Sequence, residues 1–192
     1  KLGDRAYADL IHLPLNENPI QELINTALIS SAATTYQYAP DLFPYFGAKL
    51  VNIYLEYGNM KDPYGYAMYG TMIGGMFDEH LAAYQCILLA YDISIKYNNL
   101  SAKAKVSNLL ANYGNPFVNS FTKSEKINQA GIKAALDSGE FEHGGYCLAN
   151  DTVILFLRGE LLSKFENLLP DRFTLAKTFN HSFCQNKNID TI

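Results

Sequence analysis

Two glycines four residues apart, within the segment from Leu55 to Ile95, constrain the fold more than any other feature of the sequence. Gly70 and Gly74 would share one face of a helix that runs through residues 66–75. Glycine inside a helix costs about 0.5–1 kcal/mol relative to alanine, so a pair on one face needs a compensating interaction. We expect that interaction to be the close approach of a neighbouring helix.

The sequence predicts that neighbouring helix directly downstream. Asp78 can cap its start, and Glu79 lies in its first turn, where acidic side chains are favoured. One face of this helix carries large side chains and another carries small ones, so we expect the small face to pack against the first helix. The very short turn between the two helices predicts an antiparallel hairpin. The large face consists of Leu81, Tyr84, Leu88, Tyr91 and Ile95, and the small face of Ala83, Ile87, Ala90 and Ser94.

The rest of the sequence also has helical periodicity, and no segment shows sustained alternation of apolar and polar residues. Asn18 is predicted to cap a helix, Gly58 and Gly139 to end one each, and Pro170 to separate two. We therefore predict an all-α fold of stacked antiparallel hairpins. Besides the central hairpin, the predicted helices cover residues 4–13, 19–36, 41–57, 101–113, 117–138, 140–157, 160–169 and 173–183.

Length and composition fit one compact unit. The chain has 192 residues, of which 48% are hydrophobic and 18% charged, so it can bury a substantial core. Its net charge of −4 argues against binding to nucleic acid. No apolar run approaches the ~18 residues of a membrane span, and no signal peptide is evident, so we expect no membrane partner and a cytoplasmic location. We predict a single helical-repeat domain over residues 1–192 with a polar tail at 185–192. Because the sequence begins without an initiator methionine, we expect it to be part of a longer protein.

Polar clusters do not predict a reaction. Residues 78–80 (Asp-Glu-His) and 142–143 (Glu-His) are interpreted as charged helix starts, because adjacent helical positions point in different directions. His181 and Cys184 have helical spacing for a metal pair, but a structural zinc site needs about four ligands. The sequence has no P-loop. We therefore predict no catalytic residues, no cofactor and no metal, and we interpret the scattered cysteines, Cys86, Cys147 and Cys184, as buried or free thiols.

Small residues and tyrosines supply the candidate sites. Seven tyrosines cluster around the central hairpin, where they either form core or line a peptide-binding surface, and we favour core. The cluster comprises Tyr54, Tyr57, Tyr64, Tyr66, Tyr69, Tyr84 and Tyr91, and the possible partner surface is Tyr64, Tyr66, Tyr69 and Tyr84 with His80. The predicted helix contacts are Gly70, Gly74, Gly75, Ala83 and Ala90, with Gly145 and Ala149 as a second small-residue stripe.

Five phrases, at residues 9–14 (DLIHLP), 40–44 (PDLFP), 49–59 (KLVNIYLEYGN), 65–70 (GYAMYG) and 138–142 (SGEFE), together resemble a known segment. It is the helical segment after the ATPase module in large bacterial hybrid signalling proteins. These proteins join a serine/threonine-kinase-like domain, a STAND/AAA-type ATPase, and often a GAF sensor and a histidine kinase. The resemblance implies a short right-handed solenoid like that of tetratricopeptide repeats, with no catalysis in the segment itself.

Three functional hypotheses follow. In the first, the chain is a non-catalytic module that binds a protein, a peptide or neighbouring domains of the same chain, or relays a signal between them. In the second, it is a small ligand-binding or enzymatic domain with a pocket lined by Tyr66, Tyr69, Tyr84 and His80. In the third, it is a structural spacer.

Overall fold

The computed structural model describes Gly3 and residues 5–179 of the chain. In this part of the chain no strand forms, and the β-structure is one isolated bridge between Leu15 and Asn59. The all-α prediction is confirmed. The helices are α1 (Pro19–Ser30), α2 (Ala32–Tyr38), α3 (Leu42–Tyr57), α4 (Tyr64–Phe77), α5 (His80–Lys96), α6 (Leu100–Leu109), α7 (Phe121–Ser138), α8 (Phe141–Leu157) and α9 (Leu162–Phe179). A 3₁₀ turn (Tyr7–His12) precedes them, and a π-helix (Leu110–Gly114) and a second 3₁₀ turn (Asn115–Phe117) connect α6 to α7.

Each helix contacts the one that follows it in the chain, from α1 to α9. Contacts also join next-but-one helices, namely α1 with α3, α4 with α6, and α6 with α8. The larger hydrophobic core includes residues of the first 3₁₀ turn and of α1 to α7, and a smaller one lies among α6 to α9. Long apolar side chains fill the larger core, whereas alanines dominate the smaller one.

The central hairpin depends on glycines at the contact of α4 and α5. A Cβ atom on Gly70 would lie 2.6 Å from Ile87 Cγ1 and 2.9 Å from the Ala83 carbonyl oxygen. A Cβ atom on Gly74 would lie 2.9 Å from Ala83 Cβ. The small face of α5 is the buried one, as predicted, with Ala83, Ile87 and Ala90 fully buried. The large face is only partly covered, since Leu81 is 60% exposed.

One of the predicted small-residue contacts, at Gly75, is wrong. A Cβ atom on Gly75 would meet nothing within 4 Å, because this residue lies on the exposed side of α4. In α8, Gly145 and Ala149 are buried. Gly144, beside them, lies close to α7, since a Cβ atom there would be 2.6 Å from Ala135 Cβ.

Several predicted helix ends agree with the structure. The Asn18 side chain accepts a hydrogen bond from the Ile20 amide at 2.9 Å, and Gly139 ends α7 with a φ of +78°. Gly58 ends α3 with a φ of +102°, and a Cβ atom there would collide with the Pro14 carbonyl oxygen. Gly58 thus lets the chain after α3 lie against the N-terminal segment, where the Asn59 amide donates to Pro14 O at 2.8 Å.

The predicted cap of the second hairpin helix is wrong. Asp78 does not cap α5; it ends α4 in the left-handed conformation, with a φ of +58°. The next helix begins at His80, preceded by Glu79, whose side chain makes no capping hydrogen bond. The connection needs a residue with positive φ to reverse the chain within two residues, and Asp78 takes that place.

The predicted boundary at Pro170 is also wrong, because α9 continues through this residue to Phe179. Arg172 explains the continuity, since it holds α9 along α8. Its Nη2 atom donates to Asp151 Oδ2 at 2.5 Å and its Nη1 atom to Thr152 Oγ1 at 2.7 Å. These buried contacts stabilise a helix that proline by itself disfavours. The predicted end at residue 183 and the polar tail at 185–192 lie outside the described residues.

The glycine contact predicts opposite effects for two chemically identical substitutions in α4. Gly70→Ala should destabilise the protein by about 1–3 kcal/mol, because the new methyl group overpacks against Ile87 and the Ala83 backbone. Gly75→Ala should be neutral or stabilise by up to about 1 kcal/mol, because it adds helix propensity in open space. Urea unfolding of both variants measures the difference. Equal stabilities would contradict the role given to Gly70.

Candidate functional site

A groove of about 540 Å³ runs along the C-terminal half of α4. Its walls come from three separate parts of the chain: the α2–α3 connection, the α4–α5 connection, and the π-helix with its following 3₁₀ turn. We call it the aromatic groove. Its lining residues are Tyr36, Pro40, Phe43, Pro44, Thr71, Met72, Gly74, Gly75, Met76, Asp78, His80, Tyr113 and Phe117.

Buried hydrogen bonds position the wall that carries Tyr113 and Phe117. Asn115 is fully buried, and its Nδ2 atom donates to Ser124 Oγ at 2.8 Å. The Ser124 hydroxyl in turn donates to the Ala111 carbonyl at 2.7 Å, inside the π-helix. These bonds tie the start of α7 to the irregular segment. Such π-helical turns frequently occur at functional sites. Here the π-helix contributes Tyr113 to the groove, and the following 3₁₀ turn contributes Phe117.

Aromatic rings line both sides of the groove. Tyr36 and Phe43 meet edge to face, with ring centroids 5.3 Å apart and planes at 70°. The His80 and Phe117 rings are stacked, with centroids 4.1 Å apart and planes at 7°. Burial raises the pKa of Tyr113, and the charge of Tyr36 raises it further.

Several apolar side chains of the groove are open to solvent. Met76 is 61% exposed, Phe117 59%, Tyr36 55% and Tyr113 42%, while Phe43 lies buried beneath them. Large apolar side chains that gather around one depression mark an interaction site more often than scattered exposed residues do. The arrangement therefore provides a concave apolar surface with little polar lining.

The ionisable groups among the described lining residues of the groove are the side chains of Asp78, His80, Tyr36 and Tyr113. His80 Nε2 lies 3.9 Å from Asp78 Oδ1, and the Asp78 side chain is 95% exposed. His80 Nδ1 has no hydrogen-bond partner among the described residues. No serine, cysteine or lysine nucleophile lines the groove with them. The one hydroxyl side chain besides those of the tyrosines in the described lining belongs to Thr71, which donates to the Ala67 carbonyl oxygen at 2.9 Å.

The predicted tyrosine–histidine pocket does not form. Tyr66 and Tyr69 line a different cavity of about 220 Å³, between the first 3₁₀ turn, α3 and α4, whereas His80 lines the groove. Tyr84 lines neither cavity, and its hydroxyl accepts a hydrogen bond from Lys123 Nζ at 2.7 Å. Sequence periodicity places residues on a helix face but does not say which neighbour covers that face.

The predicted tyrosine partner surface is also wrong in part. Tyr64 and Tyr66 belong to the core, with exposures of 7% and 0%. The Tyr66 hydroxyl donates to Asn59 Oδ1 at 2.9 Å, so its polar end is satisfied inside the fold. Tyr69 and Tyr84 are half-buried. The preference for core therefore agrees with the structure at Tyr64 and Tyr66.

A second polar cluster lies near the start of α8 and joins distant segments of the chain. His143 Nδ1 lies 3.1 Å from Glu140 Oε1, and its Nε2 atom lies 3.4 Å from the Tyr64 hydroxyl. Lys105 Nζ lies 2.9 Å from Asp62 Oδ2 and 3.8 Å from Glu140 Oε2. The cluster links the α3–α4 connection and α4 to α6 and α8. Glu142 precedes His143 in the sequence, but the carboxylate that pairs with His143 is that of Glu140.

Most groove residues carry no local signal in the sequence. His80 is the one groove residue in the predicted partner surface, and residues 113–117 fall where the predicted helices over 101–113 and 117–138 meet. Met76 carried the one available signal, because it is a large apolar side chain in the last turn of a helix, next to an acidic turn. The other groove residues lie in segments whose proximity depends on the tertiary fold.

Comparison of the chain with protein-family models, curated proteins and solved structures finds no match. The resemblance to hybrid signalling proteins therefore stays a prediction. Within the described residues, no group of three or more His, Cys, Asp or Glu side chains could hold a metal ion. No described helix is both long and apolar enough to cross a membrane. Cys86 and Cys147 are buried, and the predicted pair of His181 and Cys184 lies outside the described residues.

The polar cluster predicts an acid-dependent loss of stability. Burial by itself raises the pKa of Glu140, but hydrogen bonds from His143 and Ser101 and the charges of His143 and Lys105 outweigh it, so the pKa lies below 4.5. Stability from a carboxyl with a lowered pKa is present above the unfolded value near 4.5 and is lost as the pH falls through the folded value. Glu140→Gln should lower the free energy of unfolding at pH 7 by about 1 kcal/mol.

Urea unfolding between pH 3 and pH 7 measures the effect. The difference between Glu140→Gln and the native protein should shrink as the pH falls below 4.5. Glu166→Gln, which alters an exposed carboxylate of α9, provides the matched control. A Glu140→Gln deficit that is constant over this range would contradict the assignment.

Proposed function

We propose that this chain is a non-catalytic helical interaction module, in which the aromatic groove binds an apolar segment of a protein partner. The partner is a separate protein or a neighbouring domain of the same longer chain. One observation carries the proposal: the groove gathers exposed apolar side chains from three parts of the chain around one depression. Exposing these side chains to water is unfavourable, and a bound partner segment would cover them.

The helix order supports a repeat-like architecture, which we propose to be a short right-handed solenoid of tetratricopeptide-like hairpins. Each helix contacts its successor, and α4–α6 and α6–α8 contacts join next-but-one helices. This is the contact pattern expected when helical hairpins stack side by side. Repeat modules of this kind bind segments along their surfaces, and shifts between packed hairpins can transmit a bound state. A role as a relay in a cytoplasmic bacterial signalling protein belongs to this proposal.

The shape of the groove favours a macromolecular partner over a small ligand. A volume of about 540 Å³ lies in the range of small-molecule pockets. However, such pockets enclose most of a ligand's surface, and here Met76, Phe117 and Tyr36 remain more than half exposed. A partner segment that lies over these side chains would bury more apolar surface than a small molecule held beneath them.

The proposal predicts that peptides selected on the protein bind at Met76. A phage library of random 12-residue peptides is selected on the immobilised chain, and enriched peptides are measured by fluorescence anisotropy. Met76→Gln should weaken their binding roughly tenfold, because it removes apolar contact while keeping side-chain length and helix propensity. Met76 lies in the last turn of α4 and is 61% exposed, so the fold should tolerate the change.

Leu162→Gln is the matched control. It removes an apolar side chain that is 75% exposed at the start of α9 and does not line the groove. The selected peptides should bind this variant as they bind the native chain. Equal loss in both variants, or a selection without enriched peptides, would overturn the proposed function.

A further inference from the structure

Building on the function proposed above, we propose that the partner segment carries a basic side chain, arginine or lysine, between apolar residues, and that Asp78 and the rings of the aromatic groove select it. Three properties of the groove favour this occupant. They are its single carboxylate, its open aromatic faces, and the local disadvantage of an aspartate at residue 78.

The charge of the groove complements a basic partner. Among the described residues that line it, Asp78 alone carries a carboxylate, and none is lysine or arginine. The Asp78 side chain is 95% exposed, so its oxygens are available to a ligand. His80 Nε2 lies 3.9 Å from the Asp78 Oδ1 atom and carries a charge only when protonated. An acidic partner segment would be repelled here, whereas a basic one is attracted.

The rings add a second source of preference for a cation. The faces of aromatic rings attract ammonium and guanidinium groups, and guanidinium groups also stack on them. His80 covers one face of Phe117, yet Phe117 remains 59% exposed, so much of its ring is open to a ligand. Tyr36 and Tyr113 are 55% and 42% exposed in the same groove. A basic side chain with a long apolar stem matches both the rings and the carboxylate.

The backbone at residue 78 disfavours aspartate on local grounds. Asp78 ends α4 in the left-handed conformation, at φ +58° and ψ 19°, where glycine or asparagine is the more usual residue. Its negative charge lies between the C-terminus of α4, whose dipole disfavours it, and the N-terminus of α5, whose dipole favours it. The left-handed conformation is therefore the local disadvantage, and no described lysine or arginine pairs with the carboxylate in compensation. A surface residue that local structure disfavours is expected where binding uses it.

The test uses one peptide in two forms. The most enriched 12-residue peptide from the selection is synthesised with arginine at its basic position and with citrulline, the neutral analogue of arginine. The native chain should bind the arginine form roughly fivefold more tightly than the citrulline form at low salt. Asp78→Asn should remove most of that preference, and its melting temperature should equal or exceed that of the native chain, because asparagine suits the left-handed conformation.

Asp137→Asn is the control for net charge, since it removes an exposed carboxylate in the last turn of α7 that does not line the groove. It should keep the fivefold preference. Enriched peptides without lysine or arginine, or equal binding of both forms to the native chain, would overturn the inference and leave the proposed function intact. If Met76→Gln lost binding but Asp78→Asn kept the preference for arginine, the inference would also be overturned and the proposed function would stand. Failure to enrich any peptide would overturn both.

Discussion

The contact between α4 and α5 is the constraint on which the rest of the structure depends. Two glycines on α4 and the small face of α5 let the helix backbones approach until a Cβ atom at Gly70 would overlap Ile87. Neither helix could be replaced by one with ordinary side chains at this face, because interiors are close-packed and tolerate little added volume. The helices before and after this pair in the chain then pack on it. The preceding helix, α3, contacts α4, and the following helix, α6, contacts α4 and α5.

The aromatic groove is a consequence of how this hairpin turns. Because α4 and α5 lie so close, their connection must reverse the chain within two residues, and Asp78 adopts a positive φ to do so. The turn leaves Met76 and His80 beside the irregular segment after α6, where buried Asn115 holds the wall with Phe117. Tight packing in the core and an open apolar surface beside it therefore have the same origin. A binding surface built on rigid elements loses little entropy when a partner orders on it.

Local signals in the sequence were sufficient for much of the fold. The Asn18 cap and the glycine stop at Gly139 depend on residues within one helical turn, and both occur as expected. The failures involve contacts distant in sequence. Pro170 looked like a boundary, but α9 continues through it because Arg172 reaches Asp151 and Thr152 on α8. Long-range contacts of this kind overrule local propensity.

By itself the sequence determined the all-helical class, the central hairpin and the small face of α5, because a helical repeat and a glycine pair report on neighbouring turns of one helix. Only the tertiary structure decided which segments of the chain come together at the groove. The groove combines residues 36–44, 71–80 and 113–117, and nothing in their periodicity indicates that these segments meet. The candidate tyrosines show the same limit, since Tyr66 and His80 line different cavities. Periodicity gives the direction of a side chain from its own helix, whereas a site depends on the three-dimensional neighbours of that side chain.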